Sequence, residues 1–138
     1  MEKIKGTYLG NLRSELIHER SGTKIITDAP VDNKGKGEAF SPTDMVAAAL
    51  GACILTYMGA IATEKGFSID GTTYEITKSM GSNPRRIAEI NIIINLPPDI
   101  KYTDKQKQLL ERAAKICPVG ASLHDSISEY IEFNYGDE

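Results

Sequence analysis

Tryptophan is absent from this 138-residue sequence, aromatic side chains make up only 7%, and there are two histidines and two cysteines. Each shortage excludes a class of function. Few aromatics leave little to stack on nucleobases, and a net charge of −3 with a pI near 5.4 lacks the basic footprint of a nucleic-acid binder. Two cysteines cannot make a disulfide framework, and reduced thiols fit a cytoplasmic location. Cys53, Cys117, His18 and His124 show no ligand spacing, so no metal is expected. Gly35-Lys36-Gly37 lacks the rest of a phosphate loop, and no cofactor is implied. The stretch Met1–Gly6 has no apolar region of the kind a secretory signal needs.

What is present fits one ordinary globular domain over 1–138. Charged residues are 25% and apolar ones 41%, and a chain of this size can bury a real core. One segment is unusual. Met45 to Ala62 is an 18-residue run without charge, at the lower edge of a membrane span. It is rich in Ala and Gly and lacks basic clusters at its flanks, so no membrane partner is expected. A helix apolar all round is instead one buried in protein. One small sheet cannot cover it on every side, so a second subunit is expected.

The elements follow from local signals. Lys3–Leu9 and Leu12–His18 read as strands split by Gly10-Asn11, with Thr23–Thr27 as a third. Asp28 to Glu38 is a loop by its Gly, Pro, Asp and Asn content. Ser41 as N-cap, Pro42 at the first position and Asp44 at the third open a long helix, which Lys65-Gly66 closes. Phe67–Met80 and Arg86–Leu96 form an expected hairpin, with Arg85 and Arg86 at its turn. Thr103 caps a helix to Ile116, and Pro118 opens a fresh short helix to about Asp125. Ile131, Phe133 and Tyr135 alternate in a closing strand, so the elements make a mixed α+β chain.

The two cysteines stand 64 residues apart, which excludes a local redox or zinc motif and leaves a pair that only folding can join. A catalytic thiol with a resolving thiol fits, and so do two inert core residues. A cysteine reacts as its thiolate, so something must favour the charged form. Cys117 precedes the helix opened by Pro118, where amides and dipole favour negative charge. Cys53 lies 12 residues beyond Ser41, out of reach of its own helix's dipole, so a cation elsewhere must activate it. Ala49 and Gly51 are small enough to leave room for a substrate, and Tyr57 could line a wall.

The run Gly37-Glu-Ala-Phe-Ser-Pro-Thr-Asp-Met-Val-Ala-Ala-Ala-Leu-Gly-Ala-Cys53, with Cys117-Pro118-Val119 downstream, resembles the OsmC/Ohr superfamily of osmotically inducible and organic hydroperoxide resistance proteins. Pro84-Arg85-Arg86-Ile87 is similar to a stretch of its OsmC-like branch. The resemblance spans nearly the whole chain. It implies a two-layer fold with antiparallel sheets around a long central Cys-bearing helix, intertwined as a homodimer. It implies an enzyme in oxidative-stress defence: a thiol-dependent peroxidase acting on organic hydroperoxides. Cys53 matches the peroxidatic cysteine and Cys117 the resolving one, and a dithiol reductant, lipoyl in type, restores the pair. An arginine matched by Arg13, with Arg20 as competitor, would stabilise the Cys53 thiolate. The family's glutamate directly after the helix-opening proline is replaced here by Thr43, which leaves Asp44 and Glu38 as the nearby carboxylates. On the residues alone, a small lipophilic-ligand-binding dimer on the same scaffold is the alternative, with an acyl- or thiol-handling enzyme as a third.

Overall fold

The computed structural model describes residues 1–136. Its elements run β1 (Ile4–Gly10), β2 (Arg13–His18), β3 (Lys24–Asp28), a 3-10 turn (Val31–Asn33), α1 (Pro42–Lys65), β4 (Thr73–Gly81), β5 (Arg86–Asn95), α2 (Asp104–Ala113), α3 (Pro118–Ser122) and β6 (Ser128–Asn134). The chain separates into a compact unit, Met1–Val46, and a larger one from Ala47 onward.

The first unit is an antiparallel β1-β2-β3 meander. Gly10, Asn11 and Leu12 all take positive φ where β1 turns into β2, a conformation Gly and Asn adopt readily and Leu only at a cost. The loop after β3 folds back on it: the Asp28 amide donates to the Phe40 carbonyl at 3.0 Å, and the Gly37 amide to the Ala29 carbonyl at 3.3 Å. Gly35 sits against the Ala29 backbone, where any side chain would collide. This return path brings Glu38 back beside the strands.

α1 begins as its sequence dictates. The Asp44 amide donates to Ser41 Oγ at 3.0 Å and the Ser41 amide to Asp44 Oδ2 at 3.0 Å, a reciprocal cap with aspartate in the acidic role. Beyond Val46 its buried residues, Ala47, Leu50, Gly51, Ile54, Met58 and Ala62, recur at three- and four-residue spacing. All but Gly51 join Ile90, Ile92 and Ile94 of β5 and Leu110 and Ala113 of α2 in one apolar core. The opposite positions Ala52, Thr56 and Ala60 are exposed, so the described residues cover only one face of this apolar helix. α1 is long and apolar enough to cross a membrane, and 33% of its most apolar stretch is buried in the protein.

The second sheet departs from expectation. Its order is β4-β5-β6, with β4 antiparallel to β5 but β6 parallel to it. The sheets are therefore not both antiparallel. The reason is connectivity: α2 and α3 fill the passage between β5 and β6, and a helical crossover returns the chain in the same direction. The hairpin's first strand is also shorter than the sequence suggested. Ser68 and Thr72 close local turns on Asp70 and Ile69, and Gly71 takes φ 91°, so pairing starts only at Thr73. Arg86 closes the hairpin turn by donating to the carbonyls of Ser82 and Pro84 at 2.9 and 3.1 Å. α2 carries a full capping box between Thr103 and Gln106 but ends at Ala113, before the expected Ile116. α3 is a single turn, ending before the expected Asp125.

Candidate functional site

Each unit holds one constellation of chemically active side chains. In the first, β2 starts with Arg13 and β3 ends with Asp28, and the register pairs them directly. Arg13 Nε donates to Asp28 Oδ1 at 2.7 Å and Nη2 to Asp28 Oδ2 at 2.9 Å, a two-pronged ion pair on a buried carboxylate. Nη2 also donates to Glu38 Oε1 at 2.9 Å, and the Glu38 amide donates to Asp28 Oδ2 at 3.0 Å. The Arg13 hydrogen bond holds the Asp28 carboxyl below the ordinary aspartate range, against the opposing effect of burial. The same bond holds Arg13 more firmly in its charged form. Arg13 keeps 33% of its side chain exposed, so the head is oriented without being enclosed.

The other residues named from the sequence here fall elsewhere. Arg20 pairs with Glu2 at 2.7 Å, is 80% exposed and stands apart from the Arg13 cluster. Asp44 serves the α1 cap. Asp28, the residue that holds Arg13, was missed by sequence. A carboxylate at a strand end before a Pro-containing loop looks like a turn residue, and only the strand register places it opposite Arg13.

The second constellation is built on α1, α3 and β6. Cys117 is the N-cap of α3, and its sulfur accepts the Gly120 amide at 3.2 Å. The half-buried Cys53 thiol, on α1, is a neighbour close enough to act on it, and both cysteines are free. Folding has therefore joined the distant pair. Cys117 corrects one expectation. Burial pushes its thiol above the ordinary range, and the Cys53 thiol and the Glu129 carboxylate push the same way, with only the Gly120 amide opposing. Its α3 is too short for a dipole to outweigh the loss of water.

A cavity of about 400 Å³ opens beside the buried sulfur, lined among others by Cys117, Gly120, Glu129, Ile131 and Phe133. Glu129, also missed by sequence, faces it. The signal was present: Glu129 breaks the alternating apolar row of Ile127, Ile131, Phe133 and Tyr135. Glu129 is exposed as a residue, and partial loss of water at the cavity edge raises its carboxyl above the ordinary glutamate range.

Tyr57 lines a different, apolar cavity of about 290 Å³ with Ala60, Ile61, Leu109 and Ile116. Gly51 is buried against Ile76, and a Cβ there would come 3.2 Å from Ile76 Cγ1, so its small size admits β4 rather than a substrate. Ala49 is exposed. Among the described residues no group of His, Cys, Asp and Glu is arranged to hold a metal ion. His124 and His18 instead contact the hydroxyls of Ser126 and Ser21.

Comparison with known proteins places this arrangement. A family model described as OsmC-like protein matches residues 35–131. A Psychrobacter arcticus 273-4 protein, assigned to the osmotic stress induced and detoxification response, is 44% identical with a TM-score of 0.92, over 97% of this chain and 96% of that one. An organic hydroperoxide resistance protein OsmC from Legionella pneumophila is 16% identical, with a TM-score of 0.74 over 97% and 96% of the two chains. The organic hydroperoxide resistance protein OhrB of Bacillus subtilis is 17% identical, with a TM-score of 0.68 over 97% and 98%. No curated protein matches the sequence. The last two similarities speak to the fold, which they share across its length; the first two fix the kinship, and the chain belongs to the OsmC-like protein family.

Proposed function

We propose that the protein is a thiol-dependent peroxidase for organic hydroperoxides, working through Cys53 and Cys117 as a cytoplasmic homodimer. One observation carries this reading: the two thiols are brought together in a member of a family with organic hydroperoxide resistance proteins among its structural neighbours. The half-buried Cys53 is the reachable thiol and takes the peroxidatic role. Its thiolate attacks the peroxide, the O–O bond breaks, an alcohol leaves, and Cys53 becomes a sulfenic acid. Cys117 condenses with it, releasing water and leaving a Cys53–Cys117 disulfide. A dithiol, lipoyl in type, returns both thiols by exchange. Arg13 takes the thiolate-stabilising role that the family resemblance gives it, and the carboxylates of Asp28 and Glu38 fix its orientation. A second subunit is favoured by the uncovered apolar face of α1, where Ala52, Thr56 and Ala60 lie exposed.

The test is thiol count and intact mass after one equivalent of cumene hydroperoxide, with hydrogen peroxide beside it. Fast loss of both thiols, a mass loss of two hydrogens per chain and preference for the organic peroxide are expected. Two unreactive thiols sink the reading. The apolar cavity at Tyr57 and Ile116 favours a second reading, a binder of small lipophilic molecules. Cys53→Ser separates them, because binding survives that change and peroxide reduction does not.

A further inference from the structure

Cys117 poses a problem for its own proposed reaction. To attack a sulfur on Cys53 it must lose its proton, yet burial, with the Cys53 thiol and the Glu129 carboxylate acting the same way, holds that proton on. Among the described residues the stabilising contact is the Gly120 amide at 3.2 Å. A base close to the sulfur is needed, and the geometry supplies one candidate. In the parallel register Glu129, Ile131 and Phe133 stand beside Ile90, Ile92 and Ile94, so Glu129 is the exposed end of a row otherwise apolar. A methyl group placed on Gly120 would sit 3.3 Å from Cys117 Sγ and 3.5 Å from Glu129 Oε1. Sulfur and carboxylate thus border the same small space, and glycine at 120 keeps it clear.

We propose that Glu129 is the base that takes the Cys117 proton as Cys117 attacks sulfur on Cys53. The inference rests on the Cys53–Cys117 couple proposed above. The Cys117 S–H proton passes to the Glu129 carboxylate, directly or through one water. The S–S bond forms as the S–O bond of the Cys53 sulfenic acid breaks. The departing hydroxide then takes the proton from Glu129 and leaves as water. Cys117 sulfur is oxidised, the sulfenic sulfur is reduced, and Glu129 ends as it began.

The other charged groups at this cavity are Glu111 and Lys115. Glu111 Oε2 accepts the Tyr135 hydroxyl at 3.0 Å, and Lys115 is a cation. Glu129 is the carboxylate that acts electrostatically on Cys117; its residue is exposed at the cavity edge, and partial loss of water raises its carboxyl above the ordinary glutamate range.

The test uses 2,2′-dithiodipyridine, which needs no peroxide chemistry. Cys53 releases a first thiopyridone and is left as a mixed disulfide; the attack of Cys117 releases the second. Stopped-flow absorbance separates the phases, and the first phase is the internal reference for the second. In Glu129→Gln the second phase, relative to the first, should slow about tenfold or more at pH 7. The gap should close at high pH, where the thiol ionises unaided, and Glu129→Asp should recover part of the rate. A carboxylate that merely repels the thiolate predicts the reverse, because its removal would speed the second phase. An equal or faster second phase in Glu129→Gln overturns the proposal, and so does a wild-type protein that releases one thiopyridone only. Failure of the peroxidase reading would look different: both phases run, and cumene hydroperoxide leaves the thiols untouched.

Discussion

Arg13 holds Asp28 through two nitrogens, at 2.7 and 2.9 Å, across the first residue of β2 and the last of β3. The pair ends the sheet and gathers the returning loop, since Asp28 also accepts the Glu38 amide and Arg13 reaches the Glu38 carboxylate. One buried carboxylate therefore fixes a cation and a loop together.

That arrangement has an acid dependence. The folded state holds the Asp28 pKa below its unfolded value. Its stabilisation is present above the unfolded pKa, near pH 4, and is lost as pH falls through the lower folded value. Asp28→Asn should be less stable than wild type at pH 7, and the difference should shrink steadily below about pH 4. Urea unfolding of both proteins across pH 2–7 measures it; a difference that does not vary with pH would show that the charge contributes nothing.

Thiol labelling distinguishes the two cysteines. Cys117 is 3% exposed and its thiol is pushed above the ordinary range, while Cys53 is half-buried. With iodoacetamide at pH 7.5, Cys53 should be modified about tenfold faster or more, since the thiolate is the reactive form. Labelling of Cys117 should still be climbing above pH 9. Peptide mass spectrometry over a time course gives both rates, and faster modification of Cys117 would reverse the assignment of roles.

Much of this was readable before any coordinates. The Ser41–Asp44 and Thr103–Gln106 caps depend on residues three apart and local hydrogen bonds, so sequence spacing alone located two helix starts. The parallel β6 was not readable, because alternation in Ile131 and Phe133 gives a face but no direction. Arg13 was found through family resemblance, whereas Asp28 became visible only through register. Cys117 was misjudged because a proline-started turn is a local feature and burial is not. Glu129 was overlooked although its sequence signal was plain: a charge in an apolar row carries meaning only when the row faces a core.

The core of the second unit sets its stability. Ile54 is fully buried among Leu50, Ile90 and Ile92 in the apolar cluster. Ile54→Ala should cost about 2–5 kcal/mol, combining lost burial with the cavity left behind. Thr56→Ala, two residues on and exposed, removes only a hydroxyl bonded to the Ala52 carbonyl and should stay within about 0.5 kcal/mol. Denaturant midpoints compare them; equal effects would mean that α1 packs on a different face.

Gly51 tests the packing of α1 on β4 more sharply. In an exposed helix interior, Gly→Ala stabilises by about 1 kcal/mol through propensity alone. Here a Cβ would be driven into Ile76, whose Cγ1 would lie 3.2 Å away, and would meet Tyr74 Cε2 at 3.3 Å. Overpacking of this kind costs about 1–3 kcal/mol, enough to outweigh the propensity gain, so Gly51→Ala should destabilise. Shortening Ile76 to Val removes the terminal methyl nearest the new Cβ. Ile76→Val alone should cost about 0.5–1.5 kcal/mol. Combined with Gly51→Ala it should cost less than the sum, by about 1 kcal/mol or more, because the two changes relieve each other. A double-mutant cycle by urea unfolding reads that coupling directly. Simple additivity, or a more stable Gly51→Ala protein, would show that the glycine is not there to let β4 approach, and would return it to the substrate-admitting role that its place beside Cys53 first suggested.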